Sequence, residues 1–301
     1  MFFKNARVYQ LSKPFPVSAE QLSTLLEEQQ FEPCKPHDVQ SIGWVPPLGE
    51  YGKDFVHAGN GRILVCLKLQ EKVIPSAAIK EKLQEKIQEI QERDERKVGR
   101  KERLEIRDEI IIQTLPVALT KSTLIYAYIS LESKLLVVNA PGESKAELVV
   151  TELRQVLESF GVRPATTSLP PADAMTDWLM KRTPPESFQF GYQCQLKDML
   201  DTSCVIKYQN CSVDLDEIRS QIEGSMLANR LELSHNGLEF VVDDSLAIKR
   251  IRFSDVLQEQ AAAIEAEDYA QVFDSEFTVM TAAIDEALDQ LFASLNGLEA
   301  A

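Results

Sequence analysis

Residues able to do bond-making chemistry are few and scattered in this chain. His37, His57 and His235 stand apart from one another. His57 precedes Asn60-Gly61 and His235 adjoins Asn236-Gly237, so both sit near hairpin ends, where a histidine ordinarily hydrogen-bonds a turn. Cys34 and His37 have a C-x2-H spacing, but no second pair completes a zinc site. Cys204 and Cys211 are also unmatched and read as buried free thiols. Asp243-Asp244 offers a carboxylate pair for a metal, yet Asp is equally a normal turn residue at the end of a strand. Gly142-Glu143-Ser144-Lys145 lacks the first glycine and the spacing of a phosphate loop. No Gly-x-Ser-x-Gly elbow is present. The expectation is therefore no catalytic residue, no metal and no cofactor.

The chemistry on offer is that of cations. In Ile248-Lys249-Arg250-Ile251-Arg252-Phe253, a strand would point Arg250 and Arg252 to one face and Ile251 and Phe253 to the other. Two arginines on an exposed strand suit phosphate oxygens, which a guanidinium binds in bidentate fashion. The plainer alternative is a solvated face paired with C-terminal acids. Lys4 and Arg7 repeat the pattern near the start, and Lys68 and Lys72 follow the first Asn-Gly turn. No helix-turn-helix, zinc finger or RNA-recognition signature accompanies them. Any nucleic acid would be held by its backbone, with little sequence preference.

The elements that must carry these cations follow from spacing. From Lys80 to Glu109, twenty of thirty residues are charged, ten of each sign. Apolar residues at Ile79, Leu83, Ile87 and Ile90 have helical spacing. Glu89–Arg93 and Glu92–Arg96 are acid-first pairs four apart, which supports a solvated helix. Val98-Gly99 interrupts the pattern. A second run carries Leu104, Ile110, Ile111 and Leu115 before Pro116. The reading is two antiparallel helices, each about 17–20 residues and roughly 25–30 Å long, projecting from the body. Around their turn, Arg93 to Arg107 hold seven basic and four acidic groups, among them Arg93, Arg96, Lys97, Arg100 and Lys101.

Elsewhere, Phe2–Leu11 reads as a strand, and Ser18 with Gln21 as the capping box of a helix reaching Glu28. Asn60-Gly61 joins strands Phe55–Ala58 and Ile63–Leu69. Ser122–Ile129 and Lys134–Val138 are strands, and Ser144–Phe160 an amphipathic helix. Gly161–Asp173, with Pro164, Pro170 and Pro171, reads as a linker or crossing segment. Asn236-Gly237 joins Arg230–Ser234 to Leu238–Val242, and Ile248–Phe253 adds a strand. Helical segments Asp255–Glu267, Asp268–Phe273 and Asp274–Leu295 end the chain. Gly43-Trp44-Val45-Pro46-Pro47 reads as a packed loop. Strands and helices do not alternate regularly, so the fold class is α+β with antiparallel sheets and packed helices. Four regions are expected: an N-terminal α+β region 1–76, the charged hairpin 77–116, a ββα region 117–165 and a C-terminal α+β region 166–301. No convincing internal repeat is seen.

At 301 residues, 44% hydrophobic and 26% charged, the composition is that of an ordinary globular protein with a sizeable core. No apolar run approaches the ~18–20 residues of a membrane span. Met1–Asn5 lacks a basic stretch followed by an apolar one, so no secretory signal is expected. Five scattered cysteines fit reduced thiols in a cytoplasm. The net charge of −15 weighs against nucleic acid. However, Phe253 to Ala301 contain eleven acids and no Lys or Arg, so −15 less −11 leaves only −4 for the other 252 residues. Those acids read either as a solvated surface or as charge kept away from a basic face, since screening limits each charge to ~8 Å.

Several of these segments together resemble the bacterial RdgC family of recombination-associated proteins, over nearly the whole chain. The carrying pieces are Phe3-Lys4-Asn5, Gly43-Trp44-Val45-Pro46-Pro47, Asn60-Gly61, Glu71-Lys72-Val73-Ile74-Pro75-Ser76 and Leu115-Pro116. Lys249-Arg250-Ile251-Arg252-Phe253 and Phe273-Asp274-Ser275-Glu276-Phe277-Thr278-Val279-Met280-Thr281 complete them. The resemblance implies a ring-forming homodimer with a positively charged hole that admits double-stranded DNA. It implies non-sequence-specific binding and negative modulation of RecA-dependent recombination and replication-fork repair. It also implies a cytoplasmic, nucleoid-associated location. The helical hairpin would be the family's finger, closing the ring, with Leu115 and Leu119 at the dimer contact and Lys207 among the DNA-binding cations. The chain departs from its relatives where they often carry Arg and Phe, here Val117 and Leu119. It departs again where they show a Lys-Lys-Gln run, here Tyr208-Gln209-Asn210-Cys211. An apolar contact survives with Leu119; an aromatic one does not.

Two other readings compete. The charged hairpin could be a docking arm for a partner protein, without direct DNA binding. A metal-dependent nuclease on Asp243 and Asp244 is the third, disfavoured because no further acid or base converges on them in sequence.

Overall fold

A computed structural model describes residues 1–158, 160–201, 203–262 and 269–300. Its organising element is the strand β1, Asn5–Leu11, which hydrogen-bonds differently along its length. Arg7 to Gln10 pair with β6 (Leu135–Val138), while Asn5 and Ala6 pair with β12 (Ile248–Phe253). On the N-terminal side lie β2 (Gln40–Val45), β3 (Val56–Gly59), β4 (Arg62–Lys72) and β5 (Thr120–Ser130). On the C-terminal side lie β8 (Gln189–Asp198), β9 (Val205–Gln209), β10 (Met226–His235) and β11 (Leu238–Asp243). The order β2-β4-β5-β6-β1-β12-β11-β10-β8-β9 makes one continuous antiparallel sheet, with β3 beside β4 and β7 (Val162–Pro164) beside β1. The sequence reading of separate sheets thus gives way to one sheet joined through β1.

Turn chemistry fixes the hairpins. Asn60 and Gly61 have φ of 49° and 72°, and Asn236 and Gly237 have 43° and 82°, the left-handed pair that matches strand twist. The helix α1 (Ala19–Glu27) starts in the expected capping box, with Ser18 accepting from the Gln21 N–H.

Alternation along the N-terminal strands feeds two cores. Ile63, Val65 and Leu67 of β4, with Ile125, Ala127 and Ile129 of β5, pack with α1 and α4 (Glu143–Val156). Leu64 and Tyr128, pointing the other way, join a core built on α8 (Tyr269–Ser294). That 26-residue helix buries Phe273, Phe277, Met280, Ile284, Leu288 and Leu291, a stripe at helical spacing. It serves both halves of the sheet, since Leu238, Phe240 and Ile248 share its core. Its acids are ties rather than a merely solvated surface. The Tyr128 hydroxyl donates to Asp285 at 2.6 Å and Arg62 Nε donates to the same carboxylate at 2.7 Å. Burial, then the Asp285 charge, pushes the Tyr128 hydroxyl well above its usual range. His57 pairs with Asp274 at 2.9 Å.

The charged stretch forms α2 (Ser76–Asp94) and α3 (Arg100–Thr114), which pack through a small core of their own, Ile79, Leu83, Ile106 and Ile110. Remaining helices are α5 (Pro171–Lys181), α6 (Asp216–Glu223) and α7 (Asp255–Ala262).

The structure corrects several expectations. Trp44 lies on β2, 1% exposed, rather than in a loop. A Cβ at Gly43 would collide with the Phe31 backbone, so the chain crossing there requires glycine. The supposed linker 161–173 contains β7 and opens α5, with Pro171 in the first helical turn, where a missing N–H costs nothing. α4 stops at Val156, short of Phe160. α8 runs unbroken past the boundary expected at Asp274. The end expected for the preceding segment, Glu267, and the boundary at Asp268 lie outside the described residues.

Candidate nucleic-acid interface

Among the described residues, the C-terminal half of the sheet carries a hydrophobic core on one side only. Cys194 and Leu196 of β8, Tyr208 of β9, and Leu231 and Leu233 of β10 point into the α8 core. Their neighbours Gln193, Gln195, Lys207, Gln209 and Arg230 point the other way. On β1 the same parity distinguishes Ala6 and Val8, in the α8 core, from Tyr9 and Leu11, in the α1–α4 core. Arg7 shares the parity of Tyr9. The open polar face therefore continues the side that α1 and α4 cover on the N-terminal half. No residue of β8–β12 belongs to the α1–α4 core. The acid-rich helix α8 lies on the far side of the sheet, which separates the two signs of charge.

Two buried carboxylates organise this face. Asp243, 4% exposed, accepts from the Ser245 and Ala247 N–H groups, the Ser245 hydroxyl and Lys249 Nζ at 2.5 Å. Burial pushes its carboxyl upward, but the Lys249 and Ser245 hydrogen bonds outweigh that and hold it below its ordinary value of 3.8. Glu232, 5% exposed, accepts from the Tyr192 N–H at 2.8 Å, Gln193 Nε2 at 3.0 Å and Arg252 Nη2 at 2.7 Å. Arg252 also meets Glu239 at 3.1 Å. Gln193 then presents its Oε1 to Arg250 Nη1 at 2.9 Å.

Arg250 owes its position to a bulge. Val241 pairs with Lys249 and Glu239 with Arg252, so one residue on β11 faces two on β12. Arg250 takes φ of 54° there, a left-handed conformation rare outside glycine and asparagine. Arg250 and Arg252 are both exposed while Ile251 and Phe253 are buried, as the sequence reading expected. The bulge, which that reading did not contain, lets Lys249 turn to the same open side.

The structure brings Lys207, Lys249 and Arg250 to the wall of one hollow, with Arg230 beside them. Arg7 approaches its edge, donating from Nη1 to Ser245 Oγ at 3.4 Å. Lys4 is exposed at the end of β12, where its carbonyl accepts from the Ile251 N–H. Lys68 and Lys72 are elsewhere. They share the parity of Leu64, hence the opposite face of the sheet, and Lys68 sits 4.3 Å above the Phe31 ring. On α2–α3, Arg93 pairs with Asp94, Arg96 with Asp94 and Glu102, and Lys101 with Glu105, all in solvent. Lys97 and Arg100 form no ion pair with any described residue. Leu115 is buried in its own chain, at 4% exposure, whereas Val117 and Leu119 are 81% and 80% exposed.

Several of the candidate chemical groups are engaged in hydrogen bonds. His235 Nδ1 lies 2.7 Å from the Ser187 carbonyl. The Cys34 thiol donates to the Gln70 carbonyl. Cys204 is exposed and Cys211 half-buried, so neither is the buried thiol expected. Among the described residues no cluster of three or more His, Cys, Asp or Glu is arranged to hold a metal. Nor is any helix among them long and apolar enough to cross a membrane. Arg230 was missed from sequence, although its alternation with Leu231 and Leu233 could have placed it on the exposed face; a register shift between Ala228 and Arg230 hides the pattern before it.

Comparison with known proteins adds identity. A family model described as "Putative exonuclease, RdgC" matches residues 1–298. A protein of Aeromonas hydrophila named Recombination-associated protein RdgC is 34% identical over 300 residues, 99% of each chain. Bearers of the same name from Psychromonas ingrahamii and Tolumonas auensis are 33% and 32% identical over 298 and 301 residues. These cover 99% and 100% of both chains respectively.

Proposed function

Because the chain belongs to the RdgC family, we propose that it acts in recombination as a non-enzymatic protein that binds the backbone of double-stranded DNA. The observation that carries this reading is the open face of β8–β12, where Lys207, Arg230 and Arg250 form no ion pair with any described residue. A flat row of cations with no base-reading helix or ribbon suits phosphates and ignores sequence. In the same reading two copies close into a ring, α2–α3 reaches the partner, and exposed Leu119 lies at the contact. Occupancy of the duplex restrains RecA-dependent strand exchange and affects fork repair, and the protein associates with the nucleoid.

The family model's description as an exonuclease frames the alternative. Asp243, the acid nearest to such a role, already serves Lys249, Ser245 and Ala247. This favours a structural duty for it.

The test is fluorescence anisotropy of a labelled duplex of about 40 base pairs, at several salt concentrations, with two unrelated sequences. Each phosphate neutralised should contribute about −0.9 to the slope of log K against log salt. A slope near zero, or strong preference for one sequence, would overturn the reading. Incubating plasmid with Mg²⁺ or Mn²⁺ checks the enzymatic alternative, and release of nucleotides or nicking would decide for it. Sedimentation of wild type and Leu119→Asp tests the ring, a purely monomeric wild type being the result against it.

A further inference from the structure

The basic residues of the open face divide into two classes that differ in what holds them. Lys249 is bound to buried Asp243, and Arg252 lies between buried Glu232 and exposed Glu239. A cation already matched by a carboxylate gives up an existing ion pair when it meets a phosphate. The side chains of Arg230 and Lys207 make no hydrogen bond or ion pair with any described residue. Among the described residues the Arg250 guanidinium is held by one neutral amide, Gln193 Oε1 at 2.9 Å, which orients it without cancelling its charge. The three unmatched cations converge on one hollow between β8, β9, β10 and β12, of about 90 Å³. That is several times the ~10–15 Å³ needed to lodge one water, and Lys249, Gln193, Gln195 and Gln209 also line it.

The backbone points the same way. A non-glycine residue at positive φ persists only where surroundings over-determine it, and such residues gather at binding sites. The strained residue here is Arg250, whose side chain lines the hollow.

We propose that this hollow seats one phosphate group of a nucleic-acid backbone, gripped by Lys207, Arg230 and Arg250, while Lys249 and Arg252 act as struts of the sheet. The proposal deepens the DNA reading above and rests on it for the source of the phosphate.

The experiment measures duplex binding against salt for wild type, Arg230→Gln/Arg250→Gln and Arg252→Gln. The double variant should lose up to about 0.9 from the magnitude of the slope, the share of the one phosphate seated there, and bind more weakly at every salt. Arg252→Gln should leave the slope unchanged, and Arg230→Lys/Arg250→Lys should restore it. Far-ultraviolet circular dichroism and the urea midpoint confirm that each variant folds. In parallel, inorganic phosphate is titrated while the arginine side-chain resonances of wild type are followed. Saturable shifts at Arg230 and Arg250, absent at Arg252, are expected. If wild type binds duplex but the double variant keeps the full slope, the seat is wrong and the DNA reading stands. If wild type ignores duplex yet phosphate shifts Arg230 and Arg250, the hollow is an anion seat and the DNA reading falls. If neither duplex nor phosphate is bound, both fall.

Discussion

The α2–α3 helices and the open face of β8–β12 are both rich in Arg and Lys, but their charges are held in opposite ways. On the helices each matched cation finds its acid within six residues, in solvent: Arg93 with Asp94, Arg96 with Glu102, Lys101 with Glu105. Exposed pairs of this kind contribute little and weaken with salt. On the sheet the organising acids, Asp243 and Glu232, are buried, and two of the partnerships span long stretches of sequence. Arg252 reaches Glu232 across 20 residues and Arg250 reaches Gln193 across 57. The helices therefore carry charge without a fixed pattern of binding groups. The sheet fixes which cations are neutralised and which remain open to an anion.

The sharpest way to break this comparison is to remove one acid from each region. Asp243→Ala strips four donors of their acceptor, including the buried Ala247 N–H and the Lys249 ammonium. Loss of one partner from a buried ion pair costs about 3–5 kcal/mol, to be read as a lower urea midpoint at unchanged m-value. Glu102→Ala, which leaves exposed Arg96 with Asp94 and water, should leave that midpoint unmoved. Equal shifts in both variants would erase the distinction. The acid limb gives a second reading of the same site. The folded carboxyl of Asp243 is held below 3.8, so its contribution is complete above the unfolded value and is lost as pH falls through the folded one. The stability difference between wild type and Asp243→Asn should be flat above roughly pH 5 and shrink at lower pH. A difference that grew on acidification would contradict the depressed carboxyl.

A moderate effect is expected from the helices in DNA binding. Arg93→Gln/Arg96→Gln removes two cations that already have acids beside them. Its salt slope should fall by clearly less than that of Arg230→Gln/Arg250→Gln. An equal fall would place the α2–α3 turn on the duplex alongside the sheet.

How far these regions could be read in advance follows from the range of their interactions. The Ser18–Gln21 box, both Asn-Gly turns and the bounds of β12 were legible because each depends on a few adjacent residues. The charges of α2–α3 were legible for the same reason. Part of the open face was also written in the chain. Gln193, Gln195 and Lys197 alternate with Cys194 and Leu196, and Lys207 and Gln209 with Ile206 and Tyr208, a half-buried strand signal. Other features needed three dimensions. β2 was hidden by the Pro46-Pro47 turn after Trp44, and α5 by prolines that in fact begin it. Arg250 was legible as an exposed cation, but the bulge that sets its backbone was not, and Arg230, beside a register shift of its own, was not singled out. Nothing local to Arg252 names Glu232 as its partner, since only the order β12-β11-β10 brings them together.

Arg250→Gly gives the smallest effect and the most pointed one, because stability and binding should move in opposite directions. A left-handed conformation costs an ordinary residue roughly 1–2 kcal/mol, and glycine escapes that cost. Glycine in turn loses about 0.5–1 kcal/mol through the greater freedom of its unfolded chain. The guanidinium's one recorded bond is to a neutral amide at the surface, so little else is forfeited. The variant should be as stable as wild type or more so, by up to about 1 kcal/mol, measured by urea unfolding. At the same time it removes one of the three unmatched cations, and its DNA affinity should drop, with a salt slope smaller by a fraction of the about 0.9 that one phosphate contributes. A residue kept for packing would show the reverse, losing stability with the slope intact. That result would mean the bulge at Arg250 exists to bend β12 rather than to aim a cation, and the division between struts and binding groups on this face would have to be redrawn.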